Sequence, residues 1–171
     1  NLTKELVKEG LKWIPHNSPL PTNTKLHIYT EAVSEDNLQR QSAQELKIES
    51  YSYFQALGKI SSTCQTLAIC GTHGKSTCTA MAGITLAAMK VDPLVIVGTL
   101  VKEFNNKNIR LTKNLNKSSW LVVEACEYRE SFLSLNPTGV ILTNCEQDHA
   151  DYYKSENDSL QAFVKFIKKI P

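Results

Sequence analysis

Residues 70–79, with the sequence CGTHGKSTCT, combine two glycines, a lysine and several hydroxyl side chains at a spacing suited to binding phosphate. Gly71 and Gly74 permit backbone conformations closed to other residues, so N–H groups of the segment can face an anion. Lys75 adds a positive charge, and a helix beginning here would present its positive end to the same anion. The candidate nucleotide-binding residues are Gly71, Thr72, His73, Gly74, Lys75, Ser76 and Thr77.

The segment is shorter than the usual phosphate-binding loop. The pattern G-x-x-x-x-G-K-[ST] requires a glycine five places before Gly74, and Ile69 occupies that place. An ordinary strand–helix turn with a solvated lysine is the alternative, but the apolar run before the segment and the helical stretch after it favour nucleotide binding. The hydroxyl of Ser76 or Thr77 is a candidate Mg²⁺ ligand, and His73 is expected to shape the backbone.

Polar residues also follow three other apolar runs. Glu124 ends one run, where a carboxylate is unfavourable unless it is paired or bound to a metal, so it is either an Mg²⁺ ligand or half of a salt bridge. The sequence EQDHAD follows another and places His149 among acidic residues, as a metal ligand, a general acid/base or part of a solvated turn. Asn108 and Arg110 lie in a stretch expected to be a loop, either a plain surface loop or one whose arginine contacts carboxylate or phosphate.

The elements that must position these residues are four short apolar runs rich in β-branched residues, each expected to form a strand. They are residues 66–70, 94–98, 120–124 and 140–144. Helical patterns follow the first run as far as Met89 and follow the last over residues 160–170. Such strands, with helices between them, are typical of a parallel sheet covered on both faces, where ligands bind at the carboxyl ends of the strands. We therefore expect an α/β fold with these clusters at one edge of the sheet.

The first 60 residues are more polar and show no catalytic cluster. Helices are expected over residues 3–9, 35–46 and 51–60, and strands over 12–14 and 26–29. Two prolines mark the intervening segment as a loop.

The composition excludes several classes of protein. The 171 residues carry 19 basic and 17 acidic side chains, a balance that argues against a nucleic-acid or membrane partner. No run is long enough to span a bilayer, and no signal peptide is apparent. The five cysteines lack the spacing of a zinc site or a disulfide framework, which indicates reduced thiols in a cytoplasmic protein.

Three motifs in this order, GTHGKST, VVEACEYRESFL and TNCEQDHADYY, resemble those of the Mur ligases, the ATP-dependent amide-forming enzymes of peptidoglycan synthesis. That family uses a loop of the short form G-T-x-G-K-[ST]-[ST], which accounts for the missing glycine. The resemblance implies a parallel-sheet P-loop ATPase domain preceded by the remainder of a Rossmann-like UDP-binding domain. It also implies ATP and Mg²⁺ as cofactors.

The resemblance assigns roles to individual residues. Lys75 is similar to the catalytic lysine that binds the β- and γ-phosphates of ATP. Ser76 and Glu124 are similar to ligands of a first Mg²⁺, and His149 is similar to the catalytic ligand of a second. Asn108 and Arg110 are similar to part of a loop that meets the muramyl substrate.

The histidine of GTHGK and the stretch YTEAVSEDN are most similar to the family members that join L-alanine to UDP-N-acetylmuramate. In that reaction the muramyl carboxylate takes the γ-phosphate of ATP to form an acyl phosphate, and the amine then displaces phosphate. Two alternatives remain open: a murein tripeptide recycling ligase, and a nucleotide-binding module without catalysis.

The chain departs from the family pattern in its residues and in its extent. Cys126 replaces a carboxylate of the family's E-A-D-E motif, and Phe163 lies near the place where several relatives carry a carbamylated lysine. The expected organisation is the rear of a UDP-binding domain over residues 1–61 and the front of the ATPase domain over 62–171. The segment alone is expected to be inactive, because the remaining parts of the enzyme would lie outside it.

Overall fold

The computed structural model describes Val7, Lys8 and residues 10–171. The chain divides into two compact units, residues 1–53 and 54–171, and each is described by itself. The helix predicted for residues 3–9 lies mainly outside the described residues. Within the described part of the chain, no helix has both the length and the apolar character needed to cross a bilayer.

The first unit contains a two-stranded parallel sheet and one helix. Its elements are β1 (Leu26–Tyr29), α1 (Leu38–Glu45) and β2 (Glu49–Ser52). Asn37 begins α1, and its side chain accepts a hydrogen bond from the N–H of Gln39, which satisfies a donor of the first turn. The predictions of β1 and α1 are confirmed, whereas the strand predicted for residues 12–14 is wrong.

The second unit is built on a five-stranded sheet in the order β5-β4-β6-β3-β7. Its elements are α2 (Tyr53–Ser61), β3 (Gln65–Cys70), α3 (Lys75–Ala88), β4 (Leu94–Val101), β5 (Lys107–Arg110), β6 (Trp120–Glu124), β7 (Gly139–Leu142) and α4 (Glu156–Ile167). Short 3₁₀ segments cover Lys102–Phe104 and Tyr128–Ser134. The helix predicted for residues 51–60 therefore begins two residues later than expected, because residues 49–52 pair with β1 instead.

Strands β4, β6, β3 and β7 run parallel, which confirms the four strands predicted from apolar runs. The fifth strand, β5, pairs antiparallel with β4 at the edge of the sheet. Its sequence, KNIR, is mostly polar, because an edge strand with exposed side chains does not need a continuous apolar run. The expectation that residues 108–110 form a loop is therefore wrong.

Helices cover both faces of this sheet, as predicted. On one face, Ile69, Val95 and Val122 pack with apolar residues of α3. On the other face, Ala68, Leu121 and Val123 pack with side chains from α2, α4 and the 3₁₀ segment at residues 128–134. The largest of these side chains are fully buried: Phe132, Phe163 and Phe166.

The carboxyl ends of β6, β3 and β7 lie side by side at one edge of the sheet. In the parallel register Glu124 lies opposite Ile69, and Leu142 lies opposite Cys70. The segments that follow these strands start at residues 125, 71 and 143. They therefore emerge next to one another.

Candidate functional site

The segment after β3 turns sharply and enters α3. Gly71 has φ of 131°, and a side chain there would overlap the Thr143 hydroxyl and the backbone of Asn144. Gly74 has φ of 82° and is the N-cap of α3, where no side chain caps the helix. The N–H groups of the first turn of α3 have no partner within the helix, so this end of the helix is suited to an anion.

The segment after β7 holds residues 71–74, the candidate phosphate loop, in place. The Thr143 hydroxyl donates to the carbonyl of His73 at 2.6 Å, and Asn144 Oδ1 accepts from the His73 N–H at 2.8 Å. The Thr72 N–H donates to the Asn144 carbonyl at 3.3 Å. The N–H groups of Thr72 and His73 are thus already bonded, which leaves the start of α3 as the source of donors for an anion.

The His73 side chain is exposed and lies 4.0 Å from Glu146 Oε2, which is also exposed. At this exposure such a pair contributes little, because water screens it. The bonds of His73 to the β7 side are made by its backbone, in keeping with the backbone-shaping role expected from the sequence.

Lys75 turns back toward its own loop. Its Nζ donates to the carbonyls of Gly71 at 2.6 Å and Thr72 at 3.0 Å, and to Glu127 Oε1 at 2.9 Å. An ammonium group has three N–H donors, so these acceptors match its capacity. The Lys75 side chain is 15% exposed and that of Glu127 is 3% exposed, so the ion pair is largely shielded from water.

Glu127 is the most buried acidic residue of the site, and it was not among the predicted site residues. His149 Nε2 lies 3.5 Å from Glu127 Oε1. Among the described residues, Glu127 Oε2 is buried and has no hydrogen-bond partner. The Tyr153 hydroxyl donates to the Glu127 carbonyl at 2.6 Å, which fixes the backbone at this point.

His149 is held in a conformation that is uncommon for residues other than glycine, with φ of 53°. Its carbonyl accepts hydrogen bonds from the N–H groups of Tyr152 at 2.8 Å and Tyr153 at 2.9 Å. Its ring lies 4.7 Å from the ring of Tyr128, measured between centroids. Backbone and ring contacts together therefore aim the imidazole toward Glu127.

Glu127, Asp148 and His149 form a cluster in which one ligand atom of each lies within 4.8 Å of the others. Two carboxylates and an imidazole can bind a divalent cation. Glu124 is the last residue of β6, three residues before Glu127, and it accepts a hydrogen bond from the Gly98 N–H at 2.7 Å. The structure thus places Lys75, Glu127 and His149 in one contact network, with Glu124 at the adjoining strand end.

Arg110 lies at the end of the sheet where the parallel strands begin, whereas the candidate phosphate loop follows the carboxyl end of β3. It is opposite Val95 near the start of β4, and the start of a parallel strand is the end remote from the ligand-binding edge. Its guanidinium donates to Asp92 Oδ1 at 2.8 Å and to the Pro93 carbonyl at 2.6 Å. Asn108 is exposed on the same strand, and its neighbour Lys107 lies opposite Val101 at the carboxyl end of β4. The structure does not bring Arg110 to the other candidates, and the contact of Asn108 and Arg110 with substrate stays a prediction.

Cys126, which replaces a carboxylate of the motif, is half-buried next to Glu127. Burial raises the pKa of its thiol above the ordinary value, and the nearby Glu127 carboxylate adds to this effect. The thiol therefore stays protonated at neutral pH and supplies no negative charge. All five cysteines are free.

The profile of the family described as Mur ligase middle domain matches residues 69–171. A UDP-N-acetylmuramate–L-alanine ligase from Caldicellulosiruptor bescii is 35% identical over 171 residues, which is 99% of this chain and 36% of the relative. One from Desulfitobacterium hafniense is 37% identical over 144 residues, 84% of this chain and 31% of the relative. The chain thus spans about a third of the length of these relatives.

Two solved structures share the fold. The UDP-N-acetylmuramate–alanine ligase of Thermotoga maritima matches with a TM-score of 0.78 and 27% identity, over 98% of this chain and 39% of that one. A UDP-N-acetylmuramate:L-alanyl-γ-D-glutamyl-meso-diaminopimelate ligase from Neisseria meningitides matches with a TM-score of 0.74 and 22% identity, over 86% and 49% respectively.

Proposed function

Because the chain belongs to the Mur ligase family, whose middle domain it carries over residues 69–171, we propose that it is part of an ATP-dependent ligase that joins L-alanine to UDP-N-acetylmuramate. Membership of this family confirms the resemblance carried by the three motifs. L-alanine as the acceptor is favoured by the alanine ligases that match this chain at 35% and 37% identity. The protein would act in the cytoplasm, where ATP and the nucleotide-linked sugar are available.

We assign residues 1–61 to the rear of the UDP-binding domain and residues 62–171 to the front of the ATPase domain. The family match falls within the second of these ranges. The compact units divide slightly earlier, after residue 53, because α2 belongs with the large sheet through the hydrogen bond from the Asn136 N–H to the Ser61 hydroxyl.

One observation carries the nucleotide-binding proposal: Lys75 begins α3 directly after a loop that the β7 side holds rigid. The first turn of α3 offers N–H donors, and Lys75 offers a mobile charge at the same place. When ATP binds, Lys75 exchanges the loop carbonyls and Glu127 for oxygens of the β- and γ-phosphates. Positioning and neutralisation of charge are the main contributions that a protein makes to phosphoryl transfer.

The residues present also fit a divalent cation. Glu124 offers a carboxylate at the end of β6, and the Ser76 hydroxyl lies on the first turn of α3. His149 Nε2 lies 3.5 Å from Glu127 Oε1, and the other oxygen of that carboxylate, Oε2, has no hydrogen-bond partner among the described residues. These are mostly oxygen donors, which Mg²⁺ prefers. When bound, Mg²⁺ neutralises charge on the phosphate oxygens.

The proposed ligation proceeds in two steps, phosphoryl transfer and amide formation. A carboxylate oxygen of the muramyl group attacks the γ-phosphorus of ATP, and the bond from that phosphorus to ADP breaks. The amine of L-alanine then attacks the acyl carbon, phosphate leaves, and the nitrogen loses a proton. Lys75 stabilises the transferring phosphoryl group in the first step. His149 would help to hold the divalent cation beside that group.

The test measures phosphate release by the full-length protein with ATP, UDP-N-acetylmuramate and an acceptor. L-alanine is expected to stimulate release, whereas L-alanyl-γ-D-glutamyl-diaminopimelate is expected to leave it at the background rate. Stimulation by the tripeptide alone would identify a recycling ligase. ATP binding without stimulation by either acceptor would indicate a module without catalysis.

Lys75→Ala is expected to reduce turnover by about 10²–10³-fold or more, the scale for loss of a charge-stabilising group. Lys102→Ala is the matched control, because Lys102 is exposed in the 3₁₀ segment that follows β4. Wild-type turnover in Lys75→Ala would remove the loop from the mechanism.

A further inference from the structure

We propose that Glu127 is an exchangeable ligand, paired with Lys75 when the nucleotide site is empty and bound to a divalent cation together with His149 and Asp148 once Lys75 leaves. The inference rests on the proposed function, because it takes ATP as the partner that draws Lys75 away. It gives a role to Glu127, which was not among the predicted site residues.

The first observation is that Lys75 is fully occupied in this structure. Its three acceptors are two carbonyls of its own loop and Glu127 Oε1. A phosphate oxygen can reach the ammonium only by replacing one of them. The two carbonyls belong to the loop that would hold the phosphates, whereas Glu127 is on another segment, so we expect Glu127 to be the acceptor that is replaced.

The second observation is the state of the Glu127 carboxylate. The residue is 2% exposed, and within the described part of the chain its Oε2 has no hydrogen-bond partner. A buried carboxylate is stable only when its oxygens are paired or bound to a metal. With Lys75 gone, the neighbouring imidazole of His149 would be the one side chain left beside this carboxylate among the contacts described.

The third observation is what stands next to this carboxylate. His149 Nε2 lies 3.5 Å from Glu127 Oε1, and an Asp148 oxygen completes a set of ligand atoms within 4.8 Å of one another. His149 is fixed by its carbonyl and its ring, so contacts within the protein set its position in the cluster. A cation there would replace the charge that Lys75 withdraws.

It follows that Lys75 and the cation compete for Glu127. In the absence of nucleotide, the ammonium occupies Oε1 and repels a second positive charge nearby. Removing the ammonium should therefore strengthen cation binding even when no nucleotide is present. Binding linkage is reciprocal, so ATP and the cation would each favour the other through this carboxylate.

The experiment titrates the full-length, nucleotide-free protein with Mn²⁺ and follows free Mn²⁺ by electron paramagnetic resonance. Lys75→Met is expected to raise the affinity for Mn²⁺ by about tenfold, because it removes the competing charge. Glu127→Gln is expected to lower it by about tenfold or more. The double variant should bind like Glu127→Gln, and the gain should also vanish when Lys75→Met is combined with His149→Ala.

Lys165→Met and Glu130→Gln are the matched controls. Lys165 and Glu130 form an ion pair at 2.9 Å that is more exposed and involves none of the three cluster residues. Each control makes the same change of charge as its test variant, and neither should alter Mn²⁺ affinity. A gain with Lys165→Met equal to that with Lys75→Met would reduce the effect to a general change in charge.

Unchanged Mn²⁺ affinity in Lys75→Met would overturn the inference, and this variant keeps the test decisive if Glu127→Gln fails to fold. The proposed function fails separately, through the lack of acceptor-stimulated phosphate release. A protein that shows the Mn²⁺ pattern without ligation would retain the exchangeable ligand and lose the proposed reaction.

Discussion

The Thr72 hydroxyl bonds in both directions to the backbone of Glu146, accepting from its N–H at 2.9 Å and donating to its carbonyl at 3.0 Å. One side chain thereby ties the candidate phosphate loop to the segment that carries His149. It adds to the bonds that Thr143 and Asn144 make to the same loop.

Thr72→Val tests this connection, because valine keeps the shape and removes the hydroxyl. The variant leaves two backbone groups of Glu146 without their partner, so we expect a loss of about 1–3 kcal/mol in the free energy of unfolding. ATP affinity, measured by fluorescence titration, should fall about tenfold because the loop is less ordered. Thr72→Ser keeps the hydroxyl and should retain most of the wild-type stability and ATP affinity. Equal losses in Thr72→Val and Thr72→Ser would contradict the interpretation.

Gly98→Ala tests the position of Glu124. A methyl group at residue 98 would lie 2.9 Å from Glu124 Oε2, closer than such atoms normally approach, so the carboxylate has to move. We expect the Mg²⁺ concentration that half-saturates ATP binding to rise severalfold, with little change in melting temperature, since a side chain rather than backbone yields. Gly139→Ala is the control, because its added methyl meets only ordinary contact with Leu67 at 3.7 Å.

Asp92→Asn tests the link at the opposite edge of the sheet. Hydrogen bonds from the Lys113 N–H and from Arg110 lower the pKa of Asp92 to about 2, below the value of about 4 for an unfolded chain. A lowered folded-state pKa stabilises the fold above pH of about 4, and this stabilisation is lost as the pH falls through about 2. Asp92→Asn should therefore melt at a lower temperature than wild type at pH 7 and converge with it near pH 2.

Arg110→Met leaves the hydrogen bond from the Lys113 N–H to Asp92 in place. Its melting temperature should therefore differ less from that of wild type at pH 7 than the melting temperature of Asp92→Asn does, and this difference should also shrink toward pH 2. A constant difference in melting temperature between Asp92→Asn and wild type from pH 7 to pH 2 would exclude ionisation of Asp92 as the cause.

Phe132→Ala tests the core beneath the site. Phe132 is fully buried, stacks on Phe166 with ring centroids 4.5 Å apart, and meets Phe163 edge to face. We expect a loss of about 3–5 kcal/mol in the free energy of unfolding, the range for truncating a buried aromatic, measured by urea denaturation. Leu111→Ala, at a side chain that is 72% exposed, should change stability by less than about 0.5 kcal/mol.

Much of the sheet was predictable because β3, β4, β6 and β7 carry continuous apolar runs, which a sheet buried on both faces requires. The edge strand β5 and the short strand β2 were missed for the opposite reason. Their sequences, KNIR and ESYS, are polar, and only pairing with a neighbour makes them strands. Pairing is a tertiary property that local composition does not report.

Motifs that follow strands pointed to Lys75, Glu124 and His149, and the structure places all three at the carboxyl ends of the strands; their roles stay predictions. Glu127 was missed although it stands in the same motif, because its pairing with Lys75, 52 residues earlier, is a tertiary contact that the local sequence does not report. A carboxylate three residues beyond a buried strand, within EACE, was an available signal. The hydrogen bonds by which Thr72, Thr143 and Asn144 join the segments after β3 and β7 could not be predicted. They connect side chains to backbone groups about 70 residues away in the sequence.

The left-handed backbone of His149 has a consequence for how this position responds to selection. Asparagine adopts that conformation more readily than histidine, so His149→Asn would relieve strain while removing the imidazole. A library of variants screened for heat resistance would accumulate asparagine at this position, and one screened for growth dependent on the enzyme would retain histidine. Residue 149 is therefore a place where the fittest sequence and the most stable sequence differ.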